Sequence, residues 1–77
     1  MNKNWYFCIA VGDTRAQVWG SENPQESAQL HADYWKFEEG RVINVFFMKD
    51  DIWGEPEATF IIDGNGKAVQ LKESLNR

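Results

Sequence analysis

The stretch NPQESAQLHADYWKFEEG, residues 23–40, decides how the rest of the chain is read. Asn23 has the short polar side chain of an N-cap. Pro24 suits the first helical position, because its φ is already fixed and its missing N–H would have had no partner there. Glu26 stands three residues after the cap, where a capping box needs it. Ala28, His31, Ala32 and Trp35 then follow one helical stripe, with Leu30, Tyr34 and Phe37 on an adjoining one. The spacing predicts an amphipathic helix of about three turns starting at Pro24. Glu38-Glu39-Gly40 is expected to end it, the glycine taking the left-handed C-terminal position.

On both sides of that helix the chain reads as strand. Residues 5–11, WYFCIAV, are short, apolar and rich in aromatic and β-branched types, and Trp5, Phe7, Ile9 and Val11 fall on one face. Gly12-Asp13-Thr14 supplies turn chemistry, so that residues 16–19, AQVW, return beside the first strand. Beyond the helix, residues 41–48, RVINVFFM, have the composition of a central strand broken only by Asn44. Residues 57–63, EATFIID, and 67–72, KAVQLK, flank Gly64-Asn65-Gly66, a hairpin bend whose residues must reach positive φ at little steric cost. The tail ESLNR is expected to fray. The order strand, strand, helix, strand, strand, strand points to an α+β domain: an antiparallel β-sheet with a single helix packed on one face.

That architecture leaves a question of cover. Trp5, Phe7 and Ile9 or their alternates, with Phe46 and Phe47 pointing opposite ways, make both faces of the central strands apolar, while one helix hides only one of them. An open apolar face predicts a homodimer or binding of a protein partner.

At 77 residues the chain is one domain of thin stability margin. Its single cysteine, Cys8, excludes an intrachain disulfide and a four-cysteine zinc site. The first apolar run is followed by Gly12-Asp13-Thr14-Arg15 instead of a small-residue cleavage site, so the start reads as mature chain. No run approaches the roughly 20 apolar residues that cross a bilayer, and a cytoplasmic location is expected. The formal charge is −4, from 12 acidic and 8 basic residues, and neither half of the chain is basic, which disfavours nucleic-acid partners. The 4 tryptophans fit packing or a protein interface better.

The motifs carry little catalytic chemistry. Asp63-Gly64-Asn65-Gly66-Lys67 begins like a calcium loop, but Lys67 holds the fifth position, Ala68 the place of the sharp-turn glycine, and Ser74 that of the bidentate glutamate. As a phosphate loop it precedes a strand where a helix N-terminus is needed. Residues 57–69, EATFIIDGNGKAV, resemble the strand-turn-strand segment of thioredoxin-like proteins, in which a Thr-Phe pair leads into an Asp-x-x-Gly-Lys bend. The likeness spans about a dozen residues and lacks the paired Cys-x-x-Cys, so what it implies is a shared hairpin and not redox activity. Cys8 and His31 would make a thiolate-imidazole pair only within hydrogen-bond reach and with a third group orienting the base. A buried strand cysteine and a boundary histidine are the plainer reading.

Acidic residues gather at Asp50, Asp51, Glu55 and Glu57 in a turn-rich loop with Trp53 at its centre. The bland reading is a solvated loop. The functional one presents Trp53 as an anchor for a partner, with carboxylates around it. Trp19, before Gly20-Ser21, raises the same question. The expected partner-binding set is therefore Trp19, Asp50, Asp51, Trp53 and Glu55, with no metal, no cofactor and no catalytic residue. The expected function is a non-enzymatic protein-interaction module, similar in size and character to accessory or inhibitor proteins of phages and other mobile elements. A single-stranded nucleic-acid-binding sheet and a small enzyme using Cys8 and His31 are the alternatives.

Overall fold

The computed structural model describes residues 3–48 and 55–73. Five strands and one helix follow in the order β1 (Asn4–Ala10), β2 (Ala16–Ser21), α1 (Pro24–Trp35), β3 (Val42–Phe47), β4 (Ala58–Ile62) and β5 (Ala68–Glu73). The sheet runs β2-β1-β3-β4-β5, and every neighbouring pair is antiparallel. Both β2 and β3 are antiparallel to β1, so they are parallel to each other. The α1 connection therefore crosses over β1 in a split β-α-β unit. This is the expected α+β layer pair.

The helix begins as the sequence dictates. Asn23 Oδ1 accepts the Glu26 backbone N–H at 2.9 Å, and Pro24 occupies the first turn. The Glu26 carboxylate reaches back to the N–H of Glu22, at 3.2 Å, instead of that of the cap itself. The far end departs from expectation. The helix stops at Trp35, and Lys36 takes the left-handed conformation at φ 56 that had been expected of Gly40. The cause is tertiary. Phe37 must turn inward to be buried against His31, ring centroids 5.5 Å apart, and a helix continued to residue 39 would carry it past that place. Gly40, at φ 93, forms the turn into β3 and donates its N–H to the Ile62 carbonyl at 2.9 Å. Leu30 and Tyr34, placed by the sequence on a second core stripe, are exposed.

The core lies between α1 and one face of the sheet. Tyr6, Cys8 and Ala10 of β1, Ile43 and Val45 of β3, Ala58, Phe60 and Ile62 of β4, and Ala68 of β5 meet Ser27, Ala28, His31 and Ala32. The small helix residues let the helix sit close to the strands. The β4–β5 hairpin forms as expected, but Gly66 alone in it has positive φ (81), and the carboxylate of Asp63 organises the bend by accepting the N–H groups of Asn65 (2.8 Å) and Lys67 (2.9 Å). Those two N–H groups, Lys67 first, hold the Asp63 carboxyl below its usual range.

Candidate interaction face

Strand pairing places side chains on the other side of the sheet in cross-strand rows. Gly20 of β2 faces Trp5 of β1; Val18 faces Phe7, which faces Phe46; and Ala16, Ile9, Asn44 and Thr59 form a row across four strands. Val42, Ile61 and Val69 make the last row. Among the described residues no element lies over these positions. Trp5 is 57% exposed, Val18 39% and Val69 45%, which are high values for apolar residues inside strands. Phe7 and Phe46 support each other at 6.2 Å between ring centroids. At one rim Trp5 lies flat over Gly20, where an added Cβ would come 2.9 Å from its ring. A side chain at position 20 would push the exposed Trp5 ring aside. The face positions of β1 to β4 carry no charge, and the charged residues Lys3 and Glu57 precede β1 and β4 at the rim.

One polar pair interrupts this surface. Thr59 Oγ1 donates to Asn44 Oδ1 at 2.8 Å, in the middle of the central strand. Its position had been read only as a break in an apolar run.

The predicted partner-binding residues are not brought together by the described part of the chain. Trp19 lies on the helix side of the sheet, half-buried, its Nε1–H donating to His31 Nδ1 at 2.9 Å and its ring edge-on to Tyr34 at 5.5 Å. Glu55 is exposed. Asp50, Asp51 and Trp53 lie outside the described residues.

Cys8 and His31 do not form a pair. Burial pushes the Cys8 thiol up to about 12, so the thiolate is scarce at neutral pH. His31 is fully buried, and both its ring nitrogens are engaged: Nδ1 accepts from Trp19, so the proton sits on Nε2, which donates to the Arg15 carbonyl at 3.2 Å. Burial, foremost, lowers its pKa and keeps it neutral.

The cations near this region are also committed. Arg15 binds both oxygens of Asp13, and Arg41 adds a bond to Asp13 Oδ2 at 2.7 Å. Both guanidinium groups lie over Phe37, at 4.6 and 5.4 Å from its ring centre. The hydrogen bonds from Arg15 hold the Asp13 carboxyl well below the usual carboxylate range. No group of three or more His, Cys, Asp or Glu side chains with metal-holding geometry occurs among the described residues, and none of their helices is long and apolar enough to cross a membrane.

The chain matches no protein-family model, no curated protein and no solved structure, so the function is argued from its own residues.

Proposed function

We propose that this protein is a binding module that works by covering an apolar surface of another protein chain, a second copy of itself included, with the open face of its sheet. The observation that carries the reading is the apolar face opposite α1, uncharged at the face positions of β1 to β4, from Trp5 and Val18 through Phe7, Ile9 and Phe46 to Ile61 and Val69. Five strands at about 4.8 Å spacing and about 20 Å length give the whole face a footprint near 480 Å², the size of the largest surface patch on an ordinary monomer, which is often a functional one. Covering or blocking a target in this way is the work of an accessory or inhibitor protein. Base stacking is supported less well, because Arg15 and Arg41 are held by Asp13 and no cation stands on the face positions of β1 to β4.

Capture from lysate of the source cells tests this. The tagged wild-type chain is compared with Val18→Glu on the face, Leu30→Glu on the outer side of α1, and Trp53→Ala with Asp51→Asn in the acidic loop, each checked for fold by circular dichroism. The bound protein should be lost with Val18→Glu and retained with Leu30→Glu. Equal capture by wild type and Val18→Glu would overturn the face, and loss with the loop variant alone would move the site to residues 49–57.

A further inference from the structure

Resting on that reading, the geometry points to a specific occupant: a second copy of this chain, its sheet packed face to face on the first across a two-fold axis that runs past Asn44. Three features of the face argue for it.

The first is width. Another five-stranded sheet matches the roughly 24 Å width of the face strand for strand. Aligned sheets packing about 10 Å apart are a common way for two such faces to bury each other. Two footprints near 480 Å² sum to about 1,000 Å² before the pleat and the large side chains are added, which reaches the lower bound for a specific interface.

The second is charge. The whole chain carries −4, yet the face positions of β1 to β4 are uncharged, so two copies can meet there without opposing like charges at the centre. A two-fold contact needs a patch that complements itself, and an uncharged apolar one does so.

The third is Asn44. Its Oδ1 accepts from Thr59, while its side-chain amide N–H groups have no protein partner among the described residues. Asn44 is half-buried on this open face. An apolar cover would strand those N–H groups, and buried polar groups left unpaired are costly. A second copy related by the axis brings its own Asn44 and Thr59 oxygens to the same place, so each amide meets an acceptor. A single polar residue in an otherwise apolar interface fixes register and copy number in this manner.

Sedimentation equilibrium of the full chain, with cross-linking of Asn44→Cys by a short bis-maleimide, tests the proposal. Cys8 is buried and its thiol is held in the protonated form, so the introduced thiol is the reactive one. The wild type should be dimeric at several hundred micromolar and dissociate on dilution toward about 10 µM. Val18→Glu and, independently, Val69→Glu should weaken association by at least about a hundredfold, with the fold retained by circular dichroism. Asn44→Cys should cross-link to a covalent dimer at least about tenfold faster than Leu30→Cys on the outer side of α1, the ratio expected of a residue facing its own copy. A wild type that stays monomeric throughout overturns the second copy, and the capture experiment then decides the broader reading by itself. A dimer untouched by both glutamate variants overturns the face. A dimer that responds to them but cross-links no faster through position 44 overturns the axis at Asn44.

Discussion

His31 shows how one buried residue sets both packing and pH response. It joins β2 to α1 through Trp19 and the Arg15 carbonyl, and it can do so only as the neutral tautomer, because a proton on Nδ1 would meet the N–H of Trp19 head-on. Its pKa is lowered in the fold, so below about 6.5 the unfolded chain takes up a proton that the folded chain refuses. Stability is therefore unaffected by this group above that pH and declines as pH falls from about 6.5 toward the lower folded value. Thermal melts between pH 8 and 5 should show the decline in the wild type. His31→Gln should be less stable throughout, by about 1–3 kcal/mol for the unpaired buried partner it leaves, and should lose the slope. Asp13 adds a second, more acidic contribution of the same sign: its pKa is lowered by Arg15, so what it contributes is present above about 3.9 and lost below. Lys36 offers the opposite kind of test. A side chain at φ 56 carries a steric cost that glycine does not, so Lys36→Gly should raise stability by about 0.5–1 kcal/mol, read as a rise of a few degrees in Tm. The role of His31 was not legible in the sequence, where it read as a boundary residue on a helical stripe, because its partners are Trp19 inside β2 and the carbonyl of Arg15 just before that strand.

At the scale of elements, α1 does more than cover the core. Gln25 Nε2 donates to the Ala68 carbonyl at 2.8 Å, and Gln29 Oε1 accepts the Ala68 N–H at 2.8 Å while its Nε2 reaches the Gly66 carbonyl at 2.9 Å. Ala68 opens β5, an edge strand, and edge strands with free N–H and C=O groups invite pairing with other chains. The two glutamines satisfy those groups from above, so this part of the edge is closed to strand pairing. Gln29→Ala should cost about 1–2 kcal/mol and speed hydrogen exchange at the Ala68 amide, measured by NMR; an exchange rate equal to wild type would show that the clamp is not formed. The start of α1 was legible because capping is local chemistry at Asn23, Pro24 and Glu26. Its end was not, since Phe37 finds its place in the core only once the sheet exists. The β4–β5 hairpin was legible for the same reason as the cap. Only the detail that Asp63 organises the bend, with Gly66 alone at positive φ, needed coordinates.

At the scale of the whole molecule, alternation along β1 and β3 was enough to sort the two faces of the sheet. Trp5, Phe7 and Ile9 share a face, Phe46 joins them, Phe47 does not, and a single helix covers the opposite side, where Tyr6 meets Phe47 at 5.5 Å; Val11, expected on the same face, lies in the turn after β1. What alternation could not show is that Asn44 lies at the centre of the uncovered face with Thr59 beside it, because that depends on β3 pairing with β4 in one particular register. The expected contribution of Trp19 reads differently in three dimensions, since its indole N–H is already used inside the fold. A domain this small buries little of its surface, and the proposed second copy on the open face would supply burial that a lone chain lacks. The direct test is methyl NMR of the wild-type chain over a dilution series from roughly 1 mM to 10 µM, a range that brackets modest dimer affinities. Signals of Val18, Ile9, Val42, Ile61 and Val69 should move together with concentration while those of Ile43, Val45 and Ile62, under the helix, stay fixed. Spectra that do not change, or changes centred on the helix side, would contradict a sheet built to be covered by its own copy.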